Sequence, residues 1–332
     1  FRSASPATDR GMACDGWLTW AEKKLWLGLA WPISLVFVCR FLMDLTDLAF
    51  IGHLQSDDRY PNASTVDFLA AAGIALTWIN ITSIPLWRGF CPSLVTLASQ
   101  AFYSDEDGLM QTYLQMALFS STMFCWVLVL GWWYSGVIAQ WALGEAICSD
   151  TCVDLVTDFT RYSSVWLWPM AAFDQFEGLM QCRGEVIPAM VVNVIFVLIN
   201  AALNQFFIYG VDSPKYGIRW DGVGFIGSPI ATAVSRWLRT LLFALYMACK
   251  GYFAEWKVGM ASWSVYRAKN YLRQCLAMAI GGCFEEWQIQ VVSFMAARLS
   301  SQAMAAHTGL LQVFLVLDSL MFGPMNATTV RI

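Results

Sequence analysis

The chain has 332 residues, of which 58% are apolar and only 13% charged, and its mean hydropathy is +0.53. Soluble domains carry about 25% charged residues; here the shortfall falls in apolar blocks of about 20 residues or more, the pattern of an all-α polytopic membrane protein. A secreted disulfide scaffold, a disordered chain and a nucleic-acid binder are excluded, and the formal charge of −4 says little because the charges sit in loops and at a few intramembrane positions.

Residues 1–24 form a polar, mixed tail without the apolar core of a signal peptide. Eight stretches then follow that are long enough to cross about 30 Å of hydrocarbon as helices: 25–51, 68–100, 109–138, 155–180, 186–210, 223–249, 271–298 and 303–323. They are continuously apolar, whereas barrel strands alternate. The second is long for one span, so it is expected to tilt, to kink at Pro85 or Pro92, or to run past the bilayer. With the N-terminus cytoplasmic, the inner side collects Arg10, Lys23, Lys24, Arg183, Lys250, Lys257, Arg267, Lys269 and Arg273, and the outer side Arg59, Lys215 and Arg219, as the positive-inside rule favours. Residues 250–270 mix bases with aromatics and read as an amphipathic interfacial linker. It joins a six-helix unit, 25–249, to two further helices, 271–332. The chain begins at Phe1 and stops at Ile332 directly after an apolar run, and it reads as a fragment.

The ten cysteines follow no metal or redox spacing. Cys148 and Cys152 share the outer loop between spans three and four, where a disulfide would form in an oxidising compartment. Asn62-Ala63-Ser64 is a glycosylation sequon in the first outer loop.

An internal echo links the two ends of the chain. Asp47 to Leu54, followed by Leu69 to Leu76, is answered by Val291 to Leu299, followed by Met304 to Leu311. Downstream, Gly89, Pro92 and Thr96 are answered by Gly323, Pro324 and Thr328. A six-span unit repeated in parallel is the layout of carriers that bind substrate between two lobes; on that reading the parent has about twelve spans and the second copy breaks off after two.

A charge at the centre of a span costs about 2.5–3.5 kcal/mol on insertion scales, so each must face protein, water or a partner. Asp44 and Asp47 lie in span one, Arg88 in span two, Asp174 and Glu177 in span four, Glu285 and Glu286 in span seven and Asp318 in span eight. Asp174 and Glu177, near the inner end of their helix, are expected to be solvated at the interface. Asp47 lies toward the outer end of its span and reads either as a hydrated helix end or as a ligand. Asn200 and Asn204 are four apart and share one helical face, and Thr232 follows a Gly227-Ser228-Pro229 break. Together with Asp47 they offer oxygens suited to a sodium ion or a proton relay, or else interhelical hydrogen bonds. Glu285 lies in the middle of span seven, where a carboxylate exchanging a proton would serve a proton-coupled carrier.

Several segments resemble the multidrug and toxic compound extrusion family of cation-coupled antiporters. Asp47-Leu48-Ala49-Phe50-Ile51-Gly52-His53-Leu54 is similar to the family's Asp-x-x-Phe-Ile-Gly-His-Leu, and Leu69 to Ala71 to the opening of its second span. Thr96 to Phe102 resembles Thr-Leu-x-x-Gln-Ala-Tyr/Phe, with Gln115 following. Asn200 to Asn204 and Gly222 to Thr232 resemble spans five and six. The resemblance places Asp47, Asn200, Asn204 and Thr232 on the cation site of the first lobe, with Asn204 where many prokaryotic members carry Asp. Cys283-Phe284-Glu285-Glu286-Trp287-Gln288-Ile289-Gln290 looks like the eukaryotic Cys-x-Glu-Trp-Trp-x-x-Glu. Glu285 matches its first acid, Glu286 stands for the first Trp and Gln290 for the second acid; Gln100, Glu286 and Gln290 are secondary candidates.

What the resemblance implies is two six-helix lobes that alternate access, expelling an organic substrate, cationic or aromatic, as protons or sodium ions enter. It implies a secondary active transporter rather than an enzyme, with no cofactor and no metal, working as a monomer in the plasma membrane or a vacuolar or other organellar membrane. The rival readings are a lipid-linked oligosaccharide flippase, which needs a basic cavity where the sequence puts only Arg88 deep in a span, and a non-transporting membrane paralogue or receptor. His53 and His307 stand apart from any carboxylate or cysteine set at ligand spacing, which argues against an intramembrane enzyme.

Overall fold

The computed structural model describes residues 20–331, except 103, 105, 107, 145–147 and 214–217, and the side chains of 21, 22, 25, 212, 213, 218, 285 and 329–331 also lie outside the described set. Each apolar stretch of the sequence corresponds to a long helix. In chain order these are α1 (Trp20–Gly52), α2 (Thr65–Ile84) running through a π-helical segment (Pro85–Phe90) into α3 (Cys91–Phe102), α4 (Leu109–Trp132) and the short α5 (Ser135–Leu143). They continue with α6 (Asp150–Cys182), α7 (Ile187–Asn204) ending in a π turn (Gln205–Tyr209), α8 (Gly227–Cys249), the short α9 (Trp256–Ala261), α10 (Val265–Leu299) and α11 (Ser301–Arg331). Two three-residue strands, β1 (Val211–Ser213) and β2 (Ile218–Trp220), pair antiparallel between α7 and α8.

Among the described residues five helical segments are long and apolar enough to cross a membrane: Trp26–Gly52, Thr65–Phe102, Leu109–Trp132, Ile187–Tyr209 and Ser301–Thr328. The protein is a multi-pass integral membrane protein. Helices α6, α8 and α10 have the length, at 33, 23 and 35 residues, but their charges set them apart; Asp174 and Glu177 of α6 and Arg236 and Arg239 of α8 turn inward, as described below.

Ser64 starts α2 with a capping box, accepting from the Asp67 amide while the Asp67 carboxylate accepts from the Ser64 amide at 3.0 Å. Proline then shapes three of the long helices. A proline in a helix interior has no N–H for the carbonyl four residues earlier, and in a bilayer that carbonyl needs another donor. Neighbouring helices supply it at Pro85, Pro169 and Pro324. Pro85 frees Ile81, whose carbonyl accepts from Trp287 Nε1 of α10 at 3.4 Å. Pro169 frees Val165, which accepts from Trp237 Nε1 of α8 at 3.0 Å. Pro324 frees Leu320, which accepts from Ser34 Oγ of α1 at 3.0 Å. The long second span therefore widens into a π segment at Pro85 rather than breaking.

The core lies between α2, α6 and α8. Phe225 stacks on Phe68 at 5.3 Å and lies 5.5 Å from Phe159, and Phe173 meets Phe243 at 5.0 Å. Ahead of α8, Gly224 takes φ +65° and its amide neighbour, Phe225 N–H, donates to the buried Asp57 carboxylate at 2.7 Å. This ties the loop between α1 and α2 to the start of α8. Tyr60 in that loop donates to Asp158 at 2.6 Å, and burial together with the neighbouring carboxylate pushes the phenol above its ordinary range. Cys148 and Cys152 are joined in a disulfide.

On the opposite side, the segment around α9 docks on the start of α4. Gln111 and Gln115 donate to the carbonyls of Tyr252 and Trp256, the latter at 2.7 Å, Trp263 Nε1 donates back to Gln115 Oε1 at 3.0 Å, and Thr112 donates to the Gly259 carbonyl at 3.0 Å. Helices α10 and α11 pack against α1, α2 and the π segment.

Candidate functional site

Three helices bring four of the expected residues to one point. Asp47 stands on α1, Asn200 and Asn204 on successive turns of α7, and Thr232 on the second turn of α8. Asp47 Oδ1 accepts from Asn200 Nδ2 and from Asn204 Nδ2, both at 2.6 Å, and Asp47 Oδ2 accepts from Thr232 Oγ1 at 2.5 Å. Both asparagines are fully buried and Thr232 is nearly so. The far oxygens of the two carboxamides have no partner. Every donor to the carboxylate is neutral, so hydrogen bonding holds Asp47 in place without cancelling its charge. Asp47 lines a cleft with Asp44, Trp87, Trp166, Ser228 and Arg236.

Along the same helices, on the side away from the Asp57 loop, lies a set of charged side chains that sequence reasoning missed. Arg236 of α8 donates to Asp44 Oδ1 at 3.0 Å and its guanidinium lies 3.9 Å from the centre of the Trp166 ring. Arg239, one turn on, donates to Asn193 Oδ1 at 2.9 Å over the face of Phe173. Arg40 of α1 lies 2.5 Å from Asp174 and 2.7 Å from Glu177 on α6. Asp174 and Glu177, expected at the solvated interface, are instead buried, with side chains 8% and 4% exposed. Helix α3 packs on this stretch of α6, and Arg40 Nη2, reaching over from α1 to both carboxylates, replaces water as their partner. Arg88, expected to be the lone deep base, has company in Arg40, Arg236 and Arg239. A spacing signal was available: 40, 44 and 47 on α1, 193, 200 and 204 on α7, and 232, 236 and 239 on α8 each repeat at three, four or seven and so fall on one face.

This arrangement sits in a fold shared with known transporters. The family model described as MatE matches residues 32–206, more than half of the chain. The chain belongs to the MatE family. This MatE chain is 23% identical over 316 residues to the multidrug and toxin extrusion protein 1 of Xenopus tropicalis, covering 94% of this chain and 50% of that protein. It is 26% identical over 231 residues to an uncharacterised transporter of Schizosaccharomyces pombe, covering 69% of this chain and 38% of that one, and 22% identical to protein DETOXIFICATION 16 of Arabidopsis thaliana, covering 68% and 41%. It thus spans half or less of these relatives. The crystal structure of the eukaryotic MATE transporter AtDTX14 superposes with a TM-score of 0.68 at 18% identity, covering 90% of this chain and 63% of that one, which speaks for the fold.

The remaining expected residues of the MatE chain lie apart from the Asp47 cup. Glu286 on α10 is paired with Arg88 of the π segment at 2.5 Å, and the stretch beside Gly282 is where the Arg88 side chain passes. Gln290 is buried on α10, and Gln100 is exposed near the end of α3. Glu285 is on α10, with its side chain outside the described residues. No group of three or more His, Cys, Asp or Glu side chains placed to hold a metal ion occurs among the described residues.

Proposed function

We propose that this chain works as part of a cation-coupled antiporter that exports small organic molecules, with the Asp47 cup as a site for the coupling ion, H+ or Na+. The observation that carries the reading is the carboxylate of Asp47 held by three neutral donors from two other helices. Asp44 is paired with Arg236, and Asp174 and Glu177 share Arg40, whereas Asp47 meets neutral donors alone. One monovalent cation or proton neutralises that carboxylate. The two carboxamides suit both states, since each presents a donor to a bare carboxylate and, turned over, an oxygen to a bound cation.

In this reading residues 25–249 are a six-helix lobe, 250–270 the inner linker and 271–332 the first two helices of a second lobe. All eight long helices cross the bilayer, and residues 1–24 and the linker face the cytoplasm. A binding change at Asp47 shifts α1 against α7 and α8, and substrate leaves by alternating access between the lobes. The flippase reading is weaker, because each base near the cleft is already matched by a carboxylate or an amide.

The test is efflux of a fluorescent organic cation from vesicles bearing the full-length protein under an imposed pH or sodium gradient, with Asp47→Asn and Glu285→Gln alongside. Gradient-driven efflux that falls at least tenfold in Asp47→Asn is expected; flux in that variant equal to the parent's would discard the cup as the coupling site.

A further inference from the structure

Asp44 and Asp47 are one helical turn apart on α1, face the same cleft and would together make a stronger cation site than either alone. Oxygen donors for such a site are present around them. Ser228 and Ser163 line the same cleft, are each 1% exposed and have hydroxyls without partners, and the carboxamide oxygens of Asn200 and Asn204 are likewise buried and unpartnered. Two carboxylates with hydroxyl and amide oxygens suit a divalent ion such as Mn2+ or Ca2+.

Arg236 stands in the way. Its guanidinium is fixed from three sides: stacked 3.9 Å over Trp166, with Nη1 2.9 Å from Met170 Sδ and Nη2 donating to Asp44 Oδ1 at 3.0 Å. The Arg236 side chain is 9% exposed while that of Asp44 remains 34% exposed toward the cleft. Arginine keeps its charge under all conditions and is the base best suited to a stacked, partly dry ion pair.

We propose that Arg236 is a tethered counter-cation that holds Asp44 out of the Asp47 cup and confines the site to a single monovalent charge. The inference rests on the cup being an ion site and adds the residue that sets its selectivity. Arg236 touches neither the ion nor the cup's donors; it acts through Asp44 and is a positioning residue.

The experiment is Mn2+ binding, followed by electron paramagnetic resonance, to the purified full-length protein in lipid nanodiscs. The parent and Arg236→Lys are expected to show no tight Mn2+ site. Arg236→Gln should gain one equivalent per chain, bound at least tenfold more tightly than by the parent, and lose it again when Asp44→Asn or Asp47→Asn is added. A monodisperse Arg236→Gln protein without that site, or a site that survives Asp44→Asn, overturns the proposal. Should Arg236→Gln fail to fold, Asp44→Asn decides the matter. That change leaves the guanidinium without its carboxylate in the cleft that Asp47 lines, so the concentration of driving ion needed for half-maximal efflux should rise at least tenfold and return toward the parent value in Asp44→Asn/Arg236→Gln. An unchanged ion dependence in Asp44→Asn overturns the idea. Failure of the cup itself reads differently: Asp47→Asn would then leave ion-driven efflux intact whatever Mn2+ does.

Discussion

Replacing Arg40 by Met separates two accounts of the α6 carboxylates. If Asp174 and Glu177 were carried by water at the end of α6, their bridge to Arg40 would contribute the 0–1 kcal/mol of an exposed pair. The structure instead puts Arg40 Nη2 at 2.5 Å and 2.7 Å from acids whose side chains are 8% and 4% exposed. Removing one partner from such a buried set costs about 3–5 kcal/mol, because like charges are left together out of water. Arg40 itself is 21% exposed, which argues for the lower end, about 3 kcal/mol, or roughly a hundredfold in the unfolding equilibrium. Equilibrium unfolding of the purified protein in denaturant, read at the midpoint with unchanged slope, measures this. The companion Arg40→Met/Asp174→Asn/Glu177→Gln should recover most of the loss, since neutral amides of the same shape satisfy one another. A loss under about 1 kcal/mol in Arg40→Met would refute the buried cluster. A triple variant no better than the single would assign the cost to lost packing on Phe37 and Phe173, over which the guanidinium lies at 5.6 and 5.9 Å.

Three further outcomes are expected. Arg88→Glu should loosen α10 from the π segment, and Arg88→Glu/Glu286→Arg should restore it; with side chains 25% and 28% exposed, a coupling energy of about 1 kcal/mol is expected from a double-mutant cycle in thermal unfolding, and none at all would make the pair incidental. Gly224→Ala should destabilise the protein by about 1–2 kcal/mol, because φ is +65° and the added methyl meets the Asp57 carboxylate; a melting temperature equal to the parent's would contradict this. Tyr60 keeps its proton more tightly folded than unfolded, so its contribution is complete below about pH 10, the free phenol's range, and is lost as pH rises above it. Tyr60→Phe should therefore flatten the fall of stability above pH 10, and an unaltered alkaline slope would count against the shift.

The helices were legible in the chain because a continuously apolar run of this length has few other folds in a bilayer, and Asp47, Asn200, Asn204 and Thr232 were legible because polar groups there need partners. Their partners among the bases were not. Arg40 bonds residues more than 130 positions away, and Arg236 finds Asp44 at a separation of 192; spacing along one helix says which face a base takes, not which helix meets it. Asp174 and Glu177 were misjudged for the same reason, since closeness to a helix end suggests water unless another helix covers that end. The departure at Glu286, which stands where the eukaryotic pattern has Trp, has a physical account only once Arg88 is seen beside it. The hairpin of β1 and β2 gave no signal because two three-residue strands carry no measurable alternation.

The echo in the sequence also has a counterpart in the contacts. Pro85, at the start of the π segment, leaves a carbonyl that α10 caps through Trp287, and Pro324 of α11, which answers Pro92 rather than Pro85, leaves one that α1 caps through Ser34. Gly89 of the π segment lies against Cys275 and Ala279 of α10, and Gly323 of α11 lies against Ala30 and Ser34 of α1. Gly73 and Thr308, which occupy the same place in the two copies, face each other directly. Glycine contacts exchanged in this way are those that two copies related by a two-fold axis would make, with the self-facing position on the axis. A displacement of α10 and α11 that opens one of the proline-carbonyl caps then strains the other, so the pair should let go together. A single substitution such as Ser34→Ala should accordingly loosen the Trp287 contact on the far helix as well as its own.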